Sequence, residues 1–142
     1  MKAVESTVER VRNFFKERGL SLIVIRNNQV IFESAENGLK PLIEVYRSFE
    51  DLSGCTVVDK LVGRAAAFFF VELKPSFIHA LVISEGAIDL LKKHSVPFSY
   101  EKKVPFVLSK DGKNVCPFEK MLMDVNDSKE AIERILSKFT LS

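Results

Sequence analysis

Asp59, Lys60, Gly63 and Arg64 interrupt an otherwise apolar run from Thr56 to Phe70. Charged side chains are seldom buried unless paired, so a cluster of them inside such a run needs a reason. The run reads as a strand passing into a helix, with the charges at the junction. A helix start offers free backbone N–H groups and a positive dipole end, and in open α/β sheets ligands bind beyond the carboxyl ends of the strands. There Lys60 or Arg64 neutralises a phosphate, Arg64 bidentately. Asp59 receives a hydroxyl or an amine, and Gly63 lets backbone or ligand come close. The same residues also read as a capping Asp59, a Gly63 that eases helix–sheet packing, and two cations that reach solvent.

Three further groups carry chemistry. Ser84 and Glu85 sit where a strand gives way to another helix and extend a polar floor under the same ligand, or serve only as N-cap and first-turn acid. Cys116 precedes Pro117 at a third helix start, where free N–H groups favour a thiolate. Glu119, one turn on, is a base for that thiol or the partner of Lys120; no histidine is placed by sequence to activate it. Lys40, before Pro41, is a phosphate lysine or a surface lysine. His79, His94, Cys55 and Cys116 fit no metal-ligand spacing, so no metal or other cofactor is expected. His79 reads as a hydrogen-bonded sheet residue and His94 as a helix-end cation.

The elements that position these groups follow from periodicity. Val4, Val8, Val11 and Phe15 mark one face of an amphipathic helix over residues 1–18, stopped by Gly19. Leu20 to Ile25 and Gln29 to Glu33 read as a hairpin across Asn27-Asn28. A helix opens near Pro41, and a strand spans Cys55 to Val58. An Ala-rich core helix follows, holding Phe68, Phe69 and Phe70. Further strands span Phe77 to Ile83 and start at Phe98, and Val104 to Leu108 reads as another strand that Pro105 pushes to an edge. Asp111-Gly112 is a turn, and Asp127 with Glu130 is a capping box for a last helix over 127–142. A hairpin feeding βαβ units implies an α/β fold: three layers, α/β/α, around a mixed five-stranded sheet.

A chain of 142 residues with 46% apolar content is one self-sufficient domain, residues 1–142. A formal charge of +2 gives no bulk argument for nucleic acid. The apolar run from Ala65 to Val71 is too short for a bilayer, and two cysteines make no disulfide framework. The expectation is a cytoplasmic protein with free thiols and no membrane partner.

The order of elements resembles the cytidine-deaminase-like fold. The segments Gly38 to Leu42, Asp59 to Ala67, Val82-Ile83-Ser84 and Cys116 to Lys120 together resemble an uncharacterised prokaryotic domain-of-unknown-function family of that fold. The resemblance covers roughly residues 20 to 136 and implies a nucleotide or nucleotide-derived ligand. Zinc deaminases need His-x-Glu or Cys-x-Glu at one helix start and Pro-Cys-x-x-Cys at the next. Here those starts read Asp59-Lys60-Leu61-Val62-Gly63 and Ser84-Glu85-Gly86-Ala87, with neither Cys nor His. Zinc-dependent deamination is therefore not expected. Three functions remain open: a small-molecule binding module lined by Lys40, Asp59, Lys60, Gly63, Arg64, Ser84, Glu85 and Glu119; a zinc-independent enzyme using Cys116 or Asp59 as nucleophile or base; and a homo-oligomeric interaction protein with a vestigial pocket.

Overall fold

A computed structural model describes residues 2–109 and 112–140, with side chains from residue 9 to residue 139. Val4, Val8 and Asp111 therefore lie outside what is described for the expectations above. Helix α1 (Lys2–Glu17) ends in a left-handed Gly19 at φ 62°, and the Leu20 amide bonds back to the Phe15 carbonyl at 3.0 Å. That 6→1 closure is how a glycine at C′ satisfies the last carbonyls of a helix. Strands β1 (Leu22–Arg26) and β2 (Gln29–Ser34) then form an antiparallel hairpin. Its turn residues Asn27 and Asn28 both take positive φ, which matches the right-handed twist of the strands.

Helix α2 (Lys40–Ser48) carries Pro41 in its first turn and buries Leu42, Ile43 and Val45. Two parallel crossovers follow: β3 (Cys55–Val62), α3 (Arg64–Leu73), β4 (Phe77–Ser84), α4 (Glu85–Lys93) and β5 (Phe98–Val104). Short α5 (Pro117–Met121) and α6 (Ser128–Thr140) close the chain. The five-stranded sheet runs β2-β1-β3-β4-β5, with β1 antiparallel to β3. Among the described residues, no helix is long and apolar enough to cross a membrane.

Strand alternation divides the core. Leu22, Val24, Val57, Ile78 and Ala80 face α2, α3 and α4, and α6 packs behind α3. Phe68, Phe69 and Phe70 are all fully buried there, because α3 is covered on every side. On the opposite face Ile23, Ile25, Val58 and Leu81 meet Val11 and Phe15 of α1. The helices therefore lie on both faces of a mixed sheet, unequally: one helix on one side, the rest on the other.

Three local expectations need correction. The β3 strand does not end before Asp59. It continues to Val62, paired with β4 through Val62 and Ile83, and α3 begins only at Arg64 behind an extended Gly63. Asp59 and Lys60 are strand residues, so neither caps a helix. The Asp59 carboxyl instead accepts the Leu61 amide at 3.3 Å, and Lys60 and Leu61 are both exposed. Residues Val104 to Leu108 do not form a separate strand: β5 runs unbroken to Val104, the chain bends at Pro105, and Leu108 makes one isolated bridge to Val115. The capping box is half formed. Asp127 accepts the Lys129 amide at 3.3 Å, while Glu130 pairs with Arg134 at 3.0 Å instead of reaching back.

Candidate functional site

The start of α3 is an anion site, and the chain fills it with its own carboxylate. Glu119, on α5, places Oε1 2.7 Å from the Arg64 amide and Oε2 2.9 Å from the Ala65 amide. These are orphan donors of a first helical turn, with the dipole favouring negative charge. Glu119 is buried at 7% exposure, so the contact is sheltered from water. Gly63 makes it possible: a Cβ there would stand 2.6 Å from both Glu119 Oε1 and Val107 Cγ2. Where the sequence suggested an approach of backbone or ligand to Gly63, the structure places the Glu119 side chain.

Arg64 is committed in the other direction. Its Nε donates to the Leu122 carbonyl at 3.0 Å and Nη2 to the Val125 carbonyl at 2.5 Å, and the guanidinium lies 5.0 Å from the Phe68 ring centre. The α3 backbone thus holds α5 through Glu119, and the Arg64 side chain holds the segment after α5 by its carbonyls. Phosphate binding at α3 by Arg64, as the sequence suggested, would have to displace both.

The neighbouring helix start is simpler. Ser84, 2% exposed, is the N-cap of α4, and its hydroxyl accepts the Ala87 amide at 3.2 Å. Glu85 is exposed in the first turn. Beside it a pocket of about 170 Å³ opens at the carboxyl ends of β3 and β4. Arg64, Ser84, Gly86 and Glu119 form its polar side. Pro105, Phe106, Val115 and Met123 form its apolar side, with Phe106 49% and Met123 58% exposed. A larger groove of about 520 Å³, lined by Glu72, Lys74, His94 and Ser128 among others, lies where α3 and α4 end. Helix carboxyl ends and the amino ends of parallel strands are the less usual place for a ligand.

Of the residues singled out in the sequence, Arg64, Ser84 and Glu119 meet at this pocket, with Gly63 behind Glu119 and Glu85 next to Ser84. The others stand apart. Asp59 is enclosed between Leu22 and Ala80 on the neighbouring strands, and burial pushes its carboxyl up to about 7 against the opposing hydrogen bonds from the Leu61 and Lys60 amides. Lys60 is exposed, and so is Lys40, whose ammonium pairs with Glu36 at 3.6 Å. Cys116 is a half-buried free thiol at the start of α5 and does not line the pocket. Among the described residues, no group of three or more His, Cys, Asp or Glu is placed to hold a metal ion.

Gly86, Phe106, Val115 and Met123 were not anticipated. Phe106 and Met123 lie outside helices and strands, where no periodicity marks a face, and their role depends on which surface the loops fold over.

Comparisons with known proteins agree on kinship and are silent on activity. No curated protein matches the chain. A solved structure of TM1506, a DUF1893 family protein from Thermotoga maritima, is 44% identical, superimposes with a TM-score of 0.89, and is matched over 94% of this chain and 90% of its own. The family profile described as TM1506, domain of unknown function (DUF1893), matches residues 10–139, so the chain belongs to the DUF1893 family.

Proposed function

We propose that this protein binds a nucleobase or nucleoside in the pocket between α3, α4 and the loops around Phe106 and Met123, on a fold of the cytidine-deaminase-like type. The observation that carries the reading is the convergence of two helix starts and an apolar wall on one opening beyond β3 and β4. The element order behind the deaminase resemblance is the order in which the strands and helices occur. That resemblance supports the nucleotide-derived class of ligand. The volume narrows it: about 170 Å³ is below the roughly 300–1,000 Å³ usual for whole small-molecule ligands, so the pocket suits one ring system. Charge narrows it again. Glu119 already fills the α3 anion site and Glu85 adds negative charge beside α4, so a phosphate is the group least favoured here. A flat ring against Phe106 and Met123, with its polar edge toward Ser84 and Gly86, fits best.

Gly86 offers the test. Its backbone does not require glycine: φ is not positive, and an added Cβ would meet nothing closer than Arg64 carbon at 3.9 Å. Alanine in a helix is favoured over glycine by up to about 1 kcal/mol, so Gly86→Ala is expected to raise the melting temperature of the free protein. The same methyl enters the pocket. Thermal shifts with a panel of nucleobases and nucleosides should stabilise the wild type and should be smaller or absent in Gly86→Ala. A wild type that none of them stabilises, or a variant that binds equally well, would sink the proposal.

A further inference from the structure

A second constellation lies on the other face of the sheet, independent of the pocket. His79 on β4 and Ser99 on β5 are direct neighbours across the parallel pair, and Glu101 follows two residues on, on the same face. Ser99 Oγ is 2.7 Å from His79 Nδ1, and Glu101 Oε2 is 3.1 Å from His79 Nε2. The imidazole is buried, with its side chain 8% exposed.

The chemistry of the partners orients the protons. Burial alone would raise the Glu101 carboxyl, but hydrogen bonds from His79 and Lys16 and the charges of Lys16 and Arg12 outweigh it and hold the group below its usual value. An ionised carboxylate only accepts, so His79 donates from Nε2. In the neutral ring with Nε2 donating, the lone pair is on Nδ1 and faces the Ser99 hydroxyl, which then donates. A hydroxyl on one imidazole nitrogen and a carboxylate on the other is the arrangement that activates a serine. The ring takes the proton and the carboxylate holds the ring without being protonated, here with the two ring nitrogens interchanged relative to the usual triad. Arg12 and Lys16 of α1 lock the acid in place at 3.8 and 3.2 Å from Glu101.

We infer that Ser99 is an activated nucleophile, with His79 as its general base and Glu101 as the positioning residue, and that it accepts acyl groups from small carboxylic esters. Ser99 is half-buried on the edge strand β5, so its hydroxyl keeps some access from solvent. Arg12 and Lys16 remain 35% and 54% exposed, so an ester bearing an anionic group is favoured. Ser99 Oγ attacks the carbonyl carbon while its proton passes to His79 Nδ1. The ester C–O bond breaks and the leaving alkoxide takes that proton, leaving acyl-Ser99. Water then gives a proton to Nδ1 as its oxygen attacks. The acid leaves, and the proton returns to Ser99.

The full chain is treated with an alkyl fluorophosphonate, which forms an Oγ–P bond and releases hydrogen fluoride. Intact mass and peptide mapping should show a single adduct on Ser99, absent in Ser99→Ala. General-base assistance contributes about a hundredfold or more, so His79→Gln should slow kinact by at least about that factor. Glu101→Gln should lower kinact with KI unchanged, a split that a merely structural role does not produce. It also carries the test alone if His79→Gln does not fold by circular dichroism. No adduct on Ser99 of the folded wild type, or an adduct formed equally fast in Glu101→Gln, would overturn the inference.

Discussion

Glu119→Ala is expected to destabilise the protein by about 3 kcal/mol. The substitution strips two amides, the half-buried one of Arg64 and the buried one of Ala65, of the carboxylate that accepts both. Hydrogen bonds to charged groups contribute about 1.5–3 kcal/mol, and an unsatisfied buried donor costs a comparable amount. Neither amide has an intrahelical alternative, because both lie in the first turn of α3. Gly63→Ala should cost about 2–3 kcal/mol by a linked route. The new methyl cannot coexist with Glu119 Oε1 at 2.6 Å or Cδ at 2.9 Å, and the carboxylate cannot swing aside without releasing its amides. The two variants are therefore coupled. In the Glu119→Ala background two of the three nearest contacts of the new Cβ are gone and the Val107 methyl remains, so Gly63→Ala becomes cheaper by about 1–3 kcal/mol. Urea unfolding of the four members of the cycle measures this. Strict additivity would mean that Gly63 is present for another reason.

Asp59→Asn is expected to stabilise the protein above neutral pH. The Asp59 carboxyl is raised from 3.8 to about 7, chiefly by burial. Between those values the folded chain holds a proton that the unfolded chain has released. Stability from this group is therefore complete at or below about pH 4, falls as pH rises, and is fully lost above about pH 7. The difference between 3.8 and about 7 corresponds to roughly 4 kcal/mol as an order of magnitude. Asparagine keeps an oxygen for the Leu61 amide and carries no charge to bury. Denaturation across pH 4 to 8 should show wild type and variant nearly equal at the acid end. The variant should gain a few kcal/mol at the alkaline end. A variant less stable than wild type at pH 8 would show that the ionised carboxylate has a favourable partner.

Local signals in this chain were readable because their physics is local. Gly19 stops α1, Asn27-Asn28 turns the hairpin and Ser84 caps α4, each through backbone preferences or bonds a few residues long. The element order followed from the same kind of reading. Misreadings arose where a distant partner decided. Asp59-Lys60 read as a strand end because charges are rare inside strands, yet β4 supplies pairing to Val62 and a bond to the Leu61 amide accommodates the carboxylate.

The candidate site divides in the same way. Residue types and patterning alone identified two helix starts at the carboxyl ends of central strands, and Gly63, Arg64, Ser84 and Glu119 as residues worth attention. Their roles were decided only by tertiary structure. Glu119 looked like the base of a thiol or the partner of Lys120, and it is the anion at the start of α3, 55 positions from Arg64 in sequence. Arg64 looked like a phosphate ligand, and it holds the Leu122 and Val125 carbonyls. Propensity and periodicity act over a turn or a strand, so they set which elements form. An amide at a helix start accepts any carboxylate that the packing brings to it, so which one arrives is a property of the whole fold.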